Sequence, residues 1–247
     1  MKKLLLLLAL LALPFSVRAS VEYTTGIQAL LVSSSAPDLL TNWTWAAWVY
    51  PASAGSGTRA FVARWTDGGN GRMIRISTDA DQRVVVALPY IDWGPVYTAT
   101  GIAPEDTWTH VVATRSGDDW TIYINGVYSA SATNVGVQEA GGAVFLLCND
   151  PTAFSTFLGK VAELAGWDAV LTAGEISALA HGTPPNRIRA TKIQYYWPLH
   201  TAGCVGPCAS NPHVWPDLGG GGWNATATGQ NDSISGHAPM SPPGGAD

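Results

Sequence analysis

The sequence predicts an all-β protein made of two antiparallel sheets packed as a sandwich, with one short helix. Three observations predict this class. Short apolar runs separated by turn-forming residues recur along residues 20–200, without the strand–helix alternation of parallel folds. Only 13% of the residues are charged, while Gly, Pro and Trp number 27, 16 and 11. Low charge with many aromatic and turn-forming residues is typical of exported β-proteins.

Residues 1–19 have the pattern of a secretory signal peptide. Lys2 and Lys3 precede a twelve-residue apolar run, and a small-x-small cleavage site stands before Ser20. A membrane anchor is the alternative, but twelve helical residues span only about 18 Å of a hydrocarbon core of roughly 30 Å. We therefore expect a secreted mature chain, extracellular or periplasmic, that has no membrane span.

The charge balance argues against two classes of partner. Removal of residues 1–19 leaves ten basic and 18 acidic side chains, a formal charge of −8. Nucleic-acid binders need basic stripes to displace counterions, and proteins held at anionic lipid need basic patches. Neither function is expected.

The clearest strand is TNWTWAAWVYP, at residues 41–51. Both of its faces are largely apolar, which favours a strand covered on both sides. One face carries Trp43, Trp45, Ala47 and Val49, and the other carries Thr44, Ala46, Trp48 and Tyr50. Together with Trp108, the three strand tryptophans are expected to fill the core.

Three strand pairs follow. Residues 72–77 and 83–88 form a hairpin around the turn TDADQ, and residues 107–115 and 120–124 form a second, followed by Asn125-Gly126. Asn-Gly suits a turn with positive φ. A third pair is expected between residues 143–147 and 160–164.

A short helix is predicted near residues 172–181. Thr172 and Glu175 have capping-box spacing, because each side chain can bond the other residue's backbone N–H. Ile176, Leu179 and Ala180 supply a buried stripe, and Gly182 ends the helix. Such a short helix must pack against the sandwich.

The composition changes after residue 200. Residues 203–247 contain ten Gly and six Pro, which is typical of irregular structure. A strand is nevertheless expected near 223–228, within an extension over 201–235, and residues 236–247 should form a loose tail. The strands near 190–200 and 223–228 either complete the first sandwich, which we favour, or begin a truncated second module.

Cysteine placement suggests one disulfide. Cys204 and Cys208 flank a turn-forming Val-Gly-Pro triplet that can bring their Cα atoms within bridging distance. Two unpaired thiols or an intermolecular link are the alternatives. Cys148 lies in an apolar run and is expected to be a buried thiol.

Three motifs, in order, resemble laminin G-like domains of the concanavalin A-type lectin superfamily. Residues 106–128 contain Trp-x-His-Val, a strand, a polar turn and a second strand ending in Tyr-x-Asn-Gly. Residues 41–51 resemble the family's Trp-Val-x-Pro strand, and residues 157–176 its closing strand and short helix. The resemblance covers roughly residues 22–182 and implies a jelly-roll sandwich. It departs at Ala162-Glu163, where the family has an Asp-Glu pair.

Catalysis is not expected. A glycosidase needs two carboxylates about 5–10 Å apart, which a single strand provides with acidic residues at i and i+2 or i+4. None of the five Glu has such a partner, the family's Glu-x-Asp-x-x-Glu motif is absent, and Asp79 and Asp81 lie in a turn. We expect His110, within the signature strand, to be packed or hydrogen-bonded. Two carboxylates from separate strands remain the open alternative.

Two loops have the content of a carbohydrate-binding site, in which aromatic rings stack on sugar C–H faces and polar side chains bind hydroxyls. The predicted ligand-binding residues are Trp65, Asp67, Asn70 and Arg72 in residues 63–72, and Tyr90, Asp92, Trp93 and Tyr97 in residues 90–97. The roles of Trp167, Trp215 and Trp223 stay open.

The resemblance also implies a Ca²⁺ ion at the sandwich rim, for which the sequence offers Asp67, Asp92 and Asp150. Our first hypothesis is a secreted, non-catalytic domain that binds glycan or a surface protein. The alternatives are a self-associating component of a surface layer, filament or virion, and a jelly-roll glycosidase.

Overall fold

The computed structural model describes eleven stretches of the chain. They are residues 20–23, 29–32, 39–52, 59–65, 75–87, 95–133, 136, 144–147, 157–199, 214–228 and 232–235. The predicted signal peptide, the three cysteines and the tail after residue 235 lie outside the described residues.

The described residues form two antiparallel sheets of eight strands each, which confirms the predicted all-β class. The first sheet contains β1 (Ser20–Tyr23), β3 (Asn42–Pro51), β8 (Thr109–Ser116), β9 (Asp119–Ile124), β10 (Val127–Ala132), β12 (Gly159–Trp167), β13 (Ile193–Trp197) and β16 (Asp232–Ser235). Its strand order is β10-β9-β8-β3-β12-β1-β16, with β13 also paired to β12. We call it sheet A.

The second sheet, sheet B, contains the remaining strands. They are β2 (Ala29–Val32), β4 (Arg59–Trp65), β5 (Arg75–Thr78), β6 (Val84–Ala87), β7 (Val96–Tyr97), β11 (Val144–Leu147), β14 (Val214–Trp215) and β15 (Ala225–Thr228). Their order is β14-β15-β2-β11-β4-β5-β6-β7.

Aromatic side chains fill the core between the sheets. Trp43 and Trp45 on β3 are buried there, as the alternation predicts. The Trp43 ring lies 5.9 Å from that of Trp120, and the Trp45 ring stacks on Tyr195 at 5.4 Å. Large apolar side chains closed off from water supply most of the stabilisation of such a fold.

The opposite face of β3 is covered by α1 (Ala173–Ala180) and the segments beside it. Ala46 belongs to a second apolar cluster with Ile176 and Leu179 of the helix. Thr172 and Glu175 form the predicted capping box, and Arg189 pairs with the Glu175 carboxylate at 2.7 Å. The helix therefore shields the apolar outer face that the sequence of β3 requires to be covered.

The expected pairing of residues 143–147 with 160–164 is wrong. β11 lies in sheet B between β2 and β4, whereas β12 lies in sheet A between β3 and β1. These consecutive strands thus lie in different sheets. Both strands are apolar enough for either position, and nothing in their local sequence specifies their partners.

Trp108 also departs from expectation. It precedes β8 and is only partly buried, packed against Trp48 and Ala162 on the outer face of sheet A. The three tryptophans whose roles the sequence left open are all described. Trp167 and Trp215 are fully buried, and Trp223 is half-buried.

The strands after residue 190 pair within the same two sheets. β13 pairs with β12, β15 pairs with β2, and β16 pairs with β1, with Ser235 opposite Ser20. Trp215 and Ala225 contribute to the core between the sheets.

Gly159 tests the β3–β12 junction, and Gly174 in α1 serves as a control. Gly159 has a φ of +134°, and a Cβ there would overlap the carbonyl oxygen of Tyr50. Gly159→Ala should lower the free energy of unfolding by about 3 kcal/mol or more. Gly174→Ala, in an open helical position, should raise it by up to about 1 kcal/mol. Urea denaturation measures both; a neutral Gly159→Ala would contradict the close approach of the two strands.

Candidate functional site

The two segments predicted to bind a ligand begin at the same end of sheet B, where β4 and β6 end. β4 ends at Trp65 and β6 ends at Ala87, and the register places Ala63 opposite Arg75 and Arg75 opposite Ala87. Neighbouring strands lie about 4.8 Å apart, so the ends of β4 and β6 are separated by about 10 Å. The chain therefore starts both segments within reach of one small ligand.

Most predicted ligand-binding residues lie in those segments and outside the described residues. These are Asp67, Asn70, Arg72, Tyr90, Asp92 and Trp93. Of the two that are described, Trp65 is the last residue of β4 and pairs with Val144 of β11. The other, Tyr97, belongs to the outermost described strand of sheet B.

Tyr97 presents an exposed aromatic ring. Its relative exposure is 46%, and the Arg83 guanidinium lies 4.5 Å from the ring centroid. Asp79 and Asp81 hold Arg83 through ion pairs of 2.7 and 3.0 Å. The hydrogen bond to Asp79 raises the pKa of Arg83 from its ordinary value. The cation covers one ring face, so a ligand that stacks on Tyr97 would use the other.

The three predicted calcium ligands, Asp67, Asp92 and Asp150, lie outside the described residues. Elsewhere, among the side chains that are described, no three of His, Cys, Asp or Glu cluster as metal ligands. The chain reaches Asp67 directly after Trp65, but it approaches Asp150 from Leu147, which pairs with Val62. The two segments thus leave the β4–β11 ladder in opposite directions.

A second concave feature lies on the outer face of sheet A, where sequence reasoning placed no site. It is a narrow cleft between sheet A and the C-terminal end of α1, with room for about one water molecule. Its walls are formed by Ala46, Trp48, His110, Glu163, Leu179, Gly182, Thr183, Pro184 and Pro185. The cleft is therefore far smaller than the pockets that bind small organic ligands, which enclose roughly 300 Å³ or more.

His110 is a buried neutral imidazole in the wall of this cleft. Its backbone N–H donates to Asn125 Oδ1 at 2.9 Å, and its ring lies 5.1 Å from that of Trp48. Only 3% of the residue is exposed, and its Nδ1 has no hydrogen-bond partner among the described residues. Burial, with a smaller contribution from the charge of His181, lowers the pKa of His110 to about 3.

Glu163 reaches the cleft from a bulge in β12. The pairing with β3 shifts register between Ala162 and Ala165, and Glu163 has a φ of +51°. Its N–H donates to the carbonyl of Pro198, and its carboxylate accepts a 2.5 Å hydrogen bond from the Tyr196 hydroxyl. A non-glycine residue held in the left-handed region is strained and often marks a functional position.

Among the described residues that line the cleft, Glu163 is the one carboxylate. The arrangement offers a hydrogen-bond acceptor, a neutral imidazole and an apolar wall. In a space of this size, these groups suit one bound water molecule.

The chain belongs to the concanavalin A-like lectin/glucanases superfamily, because the family model Laminin_G_3 matches residues 25–177. Two curated relatives, from Rattus norvegicus and Mus musculus, are each named "Sushi, von Willebrand factor type A, EGF and pentraxin domain-containing protein 1". They are 28% and 26% identical over 110 residues, which is 40% of this chain and 3% of each relative. The aligned part is thus a small fraction of both relatives.

Solved structures share the fold at low identity. A Bacteroides ovatus protein, provisionally described as carbohydrate binding, has a TM-score of 0.66 and 14% identity, over 90% of this chain and 60% of that one. The Ruminococcus gnavus IT-sialidase CBM40, solved with α2,3-sialyllactose, has a TM-score of 0.53 and 14% identity. That match covers 65% of this chain and 95% of the neighbour.

Among the described residues, no helix has the length and apolarity that crossing a membrane requires.

The buried His110 predicts a stability loss in acid. Its folded pKa of about 3 lies below the ordinary 6.5, so the unfolded chain binds one more proton between these values. As the pH falls from 6.5 toward 3, this group should lower the free energy of unfolding by up to about 1.4 kcal/mol per pH unit.

Urea denaturation at pH 7, 5.5 and 4 measures this slope in wild type and in His110→Gln, which should be less sensitive to pH. His181→Gln, which changes an exposed neighbouring imidazole, is the matched control and should keep most of the wild-type slope, because burial is the larger cause of the His110 pKa shift. Equal slopes in wild type and His110→Gln would show that His110 is solvated.

Proposed function

We propose that this protein is an exported, non-catalytic laminin G-like domain that binds carbohydrate at the edge of sheet B. The ligand-binding side chains are those of the two segments that leave this edge: Trp65, Asp67, Asn70, Arg72, Tyr90, Asp92, Trp93 and Tyr97. The observation that carries the proposal is the register of β4, β5 and β6, which starts both segments about 10 Å apart.

The composition of this edge suits a sugar ligand. Aromatic rings stack on the apolar faces of pyranose rings, and carboxylate, amide and guanidinium groups bind the hydroxyls. Tyr97 supplies an exposed ring on β7, but it lies opposite Val85 and beside Arg83 of the β5–β6 turn, away from the end where the two segments begin. The fold shared with structures that are described as carbohydrate binding supports the same class of ligand.

Export and the absence of catalysis are parts of the proposal. Residues 1–19 have the three regions of a secretory signal, which supports a mature chain outside the cytoplasm. Retaining and inverting glycosidases both need two cooperating carboxyl groups. Glu163 stands alone among the described residues of its cleft, which supports binding without hydrolysis.

Calcium is a further proposed ligand at this end of sheet B, through Asp67 and Asp92. The third predicted ligand, Asp150, follows β11, which leaves the β4–β11 ladder in the opposite direction, so carbonyls or water would supply the remaining oxygens of a six- to eight-coordinate Ca²⁺. Thermal denaturation of the mature chain tests this proposal. EDTA should lower the melting temperature, and added Ca²⁺ should raise it.

A glycan array with the mature chain tests the proposed site. Wild type should bind a subset of glycans, and the Trp65→Ala/Trp93→Ala double variant should lose at least tenfold in affinity, because stacked rings supply much of the binding free energy. Tyr128→Ala removes an exposed aromatic ring on sheet A and serves as the matched control. A folded double variant that binds as wild type does would overturn the site.

Self-association is the alternative function, and β10 is the observation that favours it. This strand ends sheet A among the described strands and exposes Val127 and Tyr128 at 68% and 58%. Exposed, uncharged edge strands can pair with other chains. Light scattering over a wide concentration range should show a monomer under the carbohydrate-binding proposal, and a concentration-dependent oligomer that Val127→Lys disrupts under the alternative.

A further inference from the structure

A loop lies along the outer edge of β13. Among the described strands, β13 has one neighbour, β12, so its other side faces outward from sheet A. On that side, the Tyr196 N–H donates to Asp217 Oδ1 at 2.8 Å, and the Tyr196 carbonyl accepts from the Leu218 N–H at 2.8 Å. Tyr196 thus bonds to the segment 217–223, which we call the Asp217 loop, through the backbone groups that a further strand would use.

One carboxylate holds this loop together. Asp217 Oδ1 also accepts from the Gly219 N–H at 2.8 Å, and Oδ2 accepts from the Trp223 N–H at 3.1 Å. Asn224 Oδ1 accepts from the Asp217 N–H at 3.0 Å, and the Trp223 carbonyl accepts from Trp197 Nε1 at 2.9 Å. Hydrogen bonds to a carboxylate are stronger than those between neutral groups. Asp217 therefore ties both ends of the loop to each other and to β13.

Glycine is required where the loop meets β13. A Cβ at Gly219 would lie 2.9 Å from the backbone N and C of Tyr195, and a Cβ at Gly221 would lie 2.7 Å from the carbonyl oxygen of Gln194. Both distances are shorter than a side chain allows, so the absence of a Cβ lets the two backbones touch. The glycine run, whose composition is typical of irregular structure, thus covers a strand closely.

The strand under the loop has the composition of an edge that other chains can join. β13 has the sequence IQYYW, with one β-branched residue, three aromatic residues and no charge. Uncharged edge strands of this kind are templates for pairing with another chain, and native proteins often cover them with a loop. β13 has the loop and lacks a charged residue, so the loop is its protection.

We propose that the Asp217 loop prevents β13 from pairing with the β13 of a second copy of this chain. A second copy is the partner because two identical uncharged edges can pair antiparallel about a twofold axis. The proposal is independent of carbohydrate binding. It also concerns a different strand from β10, whose edge carries the exposed Val127 and Tyr128.

The test measures association of the mature chain by light scattering over a wide concentration range. The parent carries Val127→Lys, so that β10 does not contribute. Asp217→Ala removes the carboxylate, and Gly219→Ala forces the loop away from β13 without changing a charge. Asp217→Asn keeps an acceptor oxygen for Tyr196 and is the conservative control. Thr172→Ala, which removes the α1 cap, is the control for lowered stability at a distance from β13.

Hydrogen exchange of the Tyr196 amide identifies the edge that pairs. In Asp217→Ala and Gly219→Ala we expect this amide to exchange about tenfold faster than in the parent in dilute samples. Both variants should form oligomers as the concentration rises, and the amide should regain its protection in them. The parent, Asp217→Asn and Thr172→Ala should remain monomeric.

Two results would overturn the proposal. One is that Asp217→Ala and Gly219→Ala stay monomeric at every concentration, or form oligomers in which the Tyr196 amide remains unprotected. The other is an oligomeric parent or an oligomeric Thr172→Ala, because association would then not require an uncovered β13. If one of the two loop variants fails to fold, the other decides.

Discussion

The need to cover both apolar faces of β3 determines much of this structure. The inner face, with Trp43 and Trp45, is closed by sheet B, and the outer face, with Ala46 and Trp48, must be closed by something else. A half-solvated antiparallel strand would carry polar residues on its outer side. Because β3 does not, α1 and the residues around it lie across sheet A, and the boundary of that cover creates the cleft.

The parts of the fold that local sequence encodes could be predicted. The two-faced pattern of β3, the hairpin of β5 and β6, and the Thr172–Glu175 capping box each depend on residues within a few positions of one another, and all three are present. Asn125 and Gly126 likewise have the positive φ values that their turn needs. Local sequence is sufficient to predict these features, because the residues that stabilise each of them lie within one turn or one strand.

Non-local features could not be predicted in the same way. β11 and β12 were expected to pair, but the choice of partner depends on which strands already occupy each sheet. The bulge at Glu163 is equally invisible, since glutamate does not mark a left-handed position. The sequence around Trp108 does not distinguish it from a core tryptophan, but its position before β8 places it on the outer face of sheet A. Composition predicted the two binding segments, whereas the strand register shows that both begin at the same end of sheet B.

The pairing of β1 with β16 has a consequence for protein engineering. Ser20 lies opposite Ser235, so the two ends of the described fold emerge side by side at one border of sheet A. A short linker could join them at a small loop-closure cost, and new termini could then be opened at an exposed turn such as the one between β8 and β9. The same adjacency would let the whole sandwich be spliced into a surface loop of another protein without stretching its host.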